Sequence, residues 1–283
     1  MSWFVVTAVL VGALLHASWN ALVKSSSDKA LDTAVIHLMG SALALPLCAF
    51  AGLPPAAAWP YIFCSIVIHI GYYTALTGAY RHGDLGLTYP LMRGVGPVLV
   101  ALSSTLTVGE SLSPLAWGGV LGVSAGVLVL GLSPHAIERP KAVAFALTNA
   151  VVIALYTVVD ALGARAAVRE GGSALQYVAA LFVLDGWPFG LLVLWRRGWG
   201  VAWPYARQRA PLAAVGAAAS FGSYGIALWA MTRAPVAMVA ALRETSVLFA
   251  TLLGTWLLKE HFNARRALGT AAILGGVAAL RLG

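Results

Sequence analysis

Charge is what this sequence lacks first. Asp, Glu, Lys and Arg make up 10% of its 283 residues, against 60% hydrophobic residues, and the mean hydropathy is +0.85. A soluble domain carries about 25% charged residues. So little charge would not keep a surface in water, which excludes a soluble fold and leaves an integral membrane protein. Cysteine is scarce as well. Cys48 and Cys64 both fall in apolar stretches, where they serve as small hydrophobes, so neither a disulfide framework nor a thiolate metal site is expected. Acidic residues are outnumbered, 10 to 18, for a net charge of +8. The basic residues lie between apolar runs, where they meet water and anionic lipid head groups. No basic run interleaved with aromatics occurs, so no nucleic-acid partner is expected. There is no HExxH, no Walker phosphate loop and no GxSxG elbow. No two carboxylates stand one helical turn apart within an apolar run, so no enzyme activity, cofactor or metal is expected.

What is present is a series of apolar runs. A bilayer core of about 30 Å takes roughly 20 residues of helix. Marking breaks at charged and Pro/Gly-rich points gives ten expected spans at 3–23, 30–51, 56–80, 85–108, 114–132, 141–163, 174–195, 211–232, 235–258 and 264–282. The first, MSWFVVTAVLVGALLHASWNALVK, lacks a basic leader and is too long for a signal-peptide core, so it is taken as a span. The connections are too short to hold a domain outside the membrane. The expected fold class is therefore all-α integral membrane.

The chain also repeats itself. Residues 93–132 align without gaps on 243–282 at an offset of 150: Arg93 meets Arg243, Glu110 meets Glu260, Gly119 meets Gly269 and Gly126 meets Gly276. Upstream, AWPY at 58–61 recurs at 202–205. The expected domains are a first five-helix repeat, 1–133, and a second, 134–283. Five is odd, so the second half inserts upside down relative to the first, the inverted-repeat plan of secondary transporters.

Tyr89-Pro90, Pro97, Gly109-Glu110, Gly119 and Gly126 resemble the motif of the drug/metabolite transporter superfamily, EamA branch. The second half is a weaker copy: Glu260, Gly269 and Gly276 recur, but Val247 replaces the proline and Lys259 the glycine. The resemblance covers the whole chain through its five-plus-five layout. It implies a monomeric multi-pass transporter of the inner (plasma) membrane, with a central cavity between the halves, similar to the branch's amino-acid exporters. It also suggests that Glu110 and Glu260 are structural loop residues, where their position at span ends would otherwise make them solvated anchors or caps. For orientation, charge and resemblance disagree. Loops after odd-numbered spans hold 12 Lys and Arg and the other side 4, which by the positive-inside rule puts both termini outside the cytoplasm. Family members are usually drawn with both inside. The expectation adopted here follows the charges.

The candidate site comes from polar residues inside spans. Arg93 and Arg243 lie about a third of the way into the fourth and ninth spans, and inversion brings both near the midplane. Lipid contact is excluded at that depth, so each faces a cavity or a carboxylate. Glu244, Asp185 and Asp160 are the carboxylates inside spans. They are the candidate partners of the arginines and also the candidates for proton coupling. Whether the arginines are internal struts or substrate contacts stays open. His16, Trp19 and Asn20 on the first span, Tyr156 on the sixth, Tyr72 and Tyr73 on the third, Tyr89 on the fourth and Tyr224 on the eighth are candidate cavity residues. His37 and His69 are expected to be satisfied by neighbouring carbonyls. Gly118, Gly122 and Gly126 form a GxxxGxxxG face suited to close helix packing. Arginines suit a carboxylate and aromatic walls an apolar side chain, so a small-molecule substrate, an exported amino acid, is expected. A choline-like cation and a lipid carrier moved by a flippase remain as alternatives.

Overall fold

The computed structural model describes residues 1–83, 85–131, 139–258 and 263–283; the expected boundary between repeats at 133/134 and the expected Lys259 and Glu260 lie outside them. The described residues are helical apart from short turns. In order they are α1 (Trp3–Lys24), α2 (Lys29–Ala51), α3 (Trp59–His82), α4 (Leu85–Thr107), α5 (Pro114–Gly131), α6 (Pro140–Arg169), α7 (Ala174–Arg197), α8 (Trp199–Met231), α9 (Val236–Arg243), α10 (Thr245–Leu258) and α11 (Ala264–Leu282), with a short 3-10 turn, Ala56–Ala58, before α3. Local chemistry sets the starts: Ser2, Asp28 and Asn263 accept backbone N–H groups as N-caps of α1, α2 and α11, and Ser173 with Gln176 forms a capping box at α7.

Among the described residues, seven helices are long and apolar enough to cross a membrane: α1, α2, α3 with its preceding turn, α5, α6, α7 and α8. Two differences from the expected spans matter. The ninth span is divided into α9 and α10 at Glu244. The eighth helix begins at Trp199, not near 211, so Arg207 and Arg209 sit on a helix and not in a loop. At 1.5 Å per residue this 33-residue helix is about 50 Å long, well beyond the apolar core. Its first turns carry the stacked pair Trp199 and Trp203, amphipathic rings suited to the interface.

The main packing partners are α5 with α11, α2 with α7, α3 with α6, and α1 with α8; α4 packs on α6, α5 and α9, and α1 also meets α9 and α10. In lipid, apolar side chains gain little by choosing protein over tails, so small residues that let backbones approach decide such contacts. Ala142, Ala146, Ala150, Ala154, Ala161 and Ala164 are buried along α6. Between α5 and α11 the approach is closest. A Cβ on Gly126 would stand 2.7 Å from the Gly269 carbonyl oxygen, one on Gly119 2.9 Å from that of Gly276, and one on Gly122 3.3 Å from the Gly276 Cα. Gly118 faces open space. The close-packing face is therefore Gly119, Gly122 and Gly126, and the expected GxxxGxxxG register is corrected by one residue at its first member. Outward-facing Phe50, Leu106, Trp195 and Leu282 are strongly exposed, as a lipid-facing surface requires.

Candidate functional site

The two arginines have different fates. Arg93 on α4 is buried at 8% exposure and Glu244 at 6%; Nε of the first lies 2.8 Å from Oε2 of the second. The two atoms are close but misdirected, since neither makes a well-aligned hydrogen bond. The guanidinium also donates through Nη2 to Ser246 Oγ at 3.4 Å. Glu244 reaches α4 because the helix tightens there: its N–H bonds the Ala241 carbonyl and its own carbonyl accepts from Val247 N–H, both at 3.0 Å. Such three-residue turns inside a helix are common at functional hinges.

Arg243 forms no ion pair among the described residues. Its guanidinium carbon sits 5.3 Å from the centre of the Tyr224 ring, a cation–π contact. The repeat explains the difference. Arg93 corresponds to Arg243, but Glu244 corresponds to Gly94, and a Cβ at Gly94 would already press on Leu128 at 2.6 Å. Among the described residues, Glu244 thus supplies a carboxylate to Arg93 on α4, and α4 supplies none to Arg243.

Neither Asp160 nor Asp185 pairs with an arginine among the described residues, which corrects that part of the expected network. Asp160 is fully buried; its Oδ1 accepts from Tyr177 OH at 2.8 Å and its Oδ2 from Tyr224 OH. Tyr224 therefore carries a cation over its ring and a carboxylate at its hydroxyl. Asp185 Oδ1 stands 3.3 Å from His69 Nδ1. His69 lies with its ring 4.6 Å from that of Tyr156, and Tyr156 is within electrostatic reach of both arginines. His69 also meets the Ser65 backbone one turn earlier, with Ser65 Oγ 3.4 Å from the same Nδ1, so Asp185 is a second partner beside the expected local one; His37 is satisfied through Thr33 O at 2.8 Å, as expected. Tyr73 stacks on Phe189 at 4.5 Å and meets His37 edge-on, which places it with Asp185 and away from the arginines. A cavity of about 50 Å³ adjoins this group, lined by Ile36, His37, Phe182, Asp185, Gly186 and Ser220. That is room for a few waters.

On α1, Trp19 Nε1 donates to His16 Nδ1 at 3.3 Å and Asn20 Nδ2 donates to the His16 carbonyl at 2.8 Å. These three satisfy one another locally, with His16 in electrostatic reach of Arg93 and Arg243. Tyr89 packs against the α5–α11 core and within reach of the Arg93–Glu244 pair.

Ion pairs tie both ends of the bundle. Glu110 accepts from Arg165 Nη2 at 2.6 Å and from the Val236 N–H at 2.8 Å, while Arg165 also donates to the Met231 and Ala234 carbonyls. Glu110 thus caps α9 and closes the α8–α9 turn onto α6, a structural part. At the other end, buried Asp32 holds Arg209 at 2.9 Å and Asp28 holds Arg197 at 2.9 Å. Helix α7, about 36 Å long at 24 residues, runs from the first end to the second.

Sequence reasoning missed Tyr177, Phe189, Arg165 and the link from His69 to Asp185. Each depends on which faces of neighbouring helices meet, and helices with apolar residues all round carry no stripe to announce it.

Among the described residues, the all-helical bundle, with its outward apolar surface and buried charge at its centre, is that of a multi-pass membrane protein. A family model described as "EamA-like transporter family" matches residues 140–282, just over half the chain, and the protein belongs to that family of membrane transporters. The match falls on the second half, where the motif is weaker. A solved structure described as "Crystal structure of protein" is similar along its length, with 24% identity, a TM-score of 0.74 and 98% of each chain covered. That likeness concerns the fold alone.

Proposed function

We propose that this protein is a secondary transporter that exports amino acids by alternating access through a site between two inverted five-helix repeats. The observation that carries the substrate class is Tyr224, with Arg243 over its ring and Asp160 at its hydroxyl. A guanidinium with no ion pair among the described residues suits a substrate carboxylate, and a buried carboxylate held by hydroxyls suits an ammonium. An amino acid has both, a few bonds apart. The aromatic side chains of Tyr156, Tyr72 and Trp19 would face its apolar part.

The α5–α11 contact supports the inverted repeat. Gly119 meets Gly276 and Gly126 meets Gly269, and at offset 150 each contact is the image of the other. Exchanging α1 with α6, α2 with α7, α3 with α8, α4 with α9–α10, and α5 with α11 carries the main packing partners onto one another. On this reading the chain crosses the membrane ten times, the divided α9–α10 counting as one crossing, as a monomer in the inner membrane. A cavity of about 50 Å³ is too small for an amino acid, so loading requires one tied end to part, either Glu110–Arg165 or Asp28/Asp32 with Arg197/Arg209.

The test is counterflow into proteoliposomes scanned over L-amino acids, choline and lipid-linked sugars. Uptake of amino acids competed by other amino acids is the expected result. Transport of choline alone would make the aromatic group around Asp185 a cation cage, and movement of a lipid-linked sugar would make the protein a flippase.

A further inference from the structure

Asp185 has features that the amino-acid site does not use. It is a carboxylate inside a span with no arginine partner among the described residues, it opens on a water-sized cavity, and its Oδ1 is 3.3 Å from a histidine nitrogen. The groups around the pair come from every helix packed on it: His37 on α2, Ser65, Tyr72 and Tyr73 on α3, with Ser65 Oγ 3.4 Å from the same His69 Nδ1, Tyr156 and Asp160 on α6, and Tyr224 and Tyr177 around Asp160 on α8 and α7. Arg93 on α4 reaches Tyr72 and Tyr156 but not the pair itself. No group of three or more His, Cys, Asp or Glu able to hold a metal ion occurs among the described residues, so a divalent cation does not fit here. A proton does.

We propose that Asp185 and His69 form the site of a coupling proton. Water in the cavity delivers the proton to Asp185 Oδ1, which then donates a hydrogen bond to the His69 ring nitrogen; the pair passes from net −1 to neutral. His69 stands between Asp185 and Asp160, in electrostatic reach of the second. A substrate ammonium arriving at Asp160 favours the ionised form of Asp185 and expels the proton to the cavity. Linkage is reciprocal, so the proton equally weakens ammonium binding. Two cations that exclude one another at a shared core are what exchange of an exported amino acid for an entering proton needs. The coupling rests on the amino-acid reading above; the proton site does not.

The first arm of the test therefore uses no substrate. Infrared difference spectra of the purified protein in liposomes are recorded as pH falls from about 8 to about 5, the range in which an imidazole neighbour changes charge. The wild type shows one carboxylic-acid carbonyl band that Asp185→Asn abolishes, that His69→Gln shifts in frequency, and that Asp160→Asn retains. Thermal unfolding alongside shows which variants are folded; His69→Gln keeps a polar side chain and carries the test if Asp185→Asn does not fold. A band that survives Asp185→Asn, or one whose frequency and midpoint are unmoved in His69→Gln, overturns the proposal. The second arm loads liposomes with a pH dye and adds each L-amino acid. Amino-acid-driven proton movement lost in Asp185→Asn supports exchange. Transport of amino acids with no proton movement overturns it. An intact first arm with no amino acid transported supports the proton site and counts against the amino-acid reading instead.

Discussion

At the scale of residues, the two arginines related by the repeat have been put to different uses. Arg93 is committed to Glu244 at 2.8 Å in a buried setting, so Arg93→Ala strands a carboxylate and should cost about 3–5 kcal/mol, read as a fall in thermal stability. Glu244→Gln leaves the opposite charge unmatched and should destabilise in the same direction. Tyr224→Phe keeps the ring under Arg243 but removes a donor from Asp160. That should cost about 1–3 kcal/mol and weaken binding of amino acids more than it alters the fold, as isothermal titration against unfolding would show. The arginines and Glu244 were legible in the sequence because charge inside an apolar run stands out. Which arginine was paired was not: that depends on Gly94 standing where the repeat has Glu244, and on the tightened turn that swings Glu244 toward α4. Asp160 and Asp185 were equally visible, but their partners, Tyr177 and His69, look like ordinary span residues until the helix faces are known.

Among elements, the α5–α11 crossing is the most demanding. Gly126→Leu would force a side chain into the Gly269 backbone at 2.7 Å, where atoms cannot yield. It should lower stability by about 1–3 kcal/mol or more, with Gly276→Ala acting the same way and Gly118→Ala nearly silent because open space lies above it. Circular dichroism melts of the three in one detergent check this. The element boundaries were legible to within a few residues where a cap residue or a Pro/Gly break marks them, as at Asp28 or Ser173. They failed at α8, where Pro204 and Pro211 suggest an ending but lie within the helix, and at Glu244, where continuous apolar flanks hid a division. The register of the glycine face was off by one member because GxxxG spacing allows two neighbouring stripes, Gly118 or Gly119, and the partner helix chooses.

For the molecule as a whole, the claim is that two halves enclose one site and that the asymmetry between them leaves a single guanidinium for substrate. Orientation is a separate matter of charge. On the ten-span reading, 12 Lys and Arg fall on one side and 4 on the other, so a reporter fused after Gly283 should lie outside the cytoplasm; fluorescence from a reporter that matures only in the cytoplasm would reverse the assignment without moving the site. The central claim is tested most directly by transport and thermal stability measured together for Arg243→Lys, which keeps charge and loses the planar fork that grips a carboxylate. The account predicts a protein as stable as the wild type whose amino-acid transport falls at least tenfold, alongside Arg93→Ala that is destabilised. Full transport by a stable Arg243→Lys and by a stable Arg243→Ala would contradict it, leaving Arg243 no part in holding substrate.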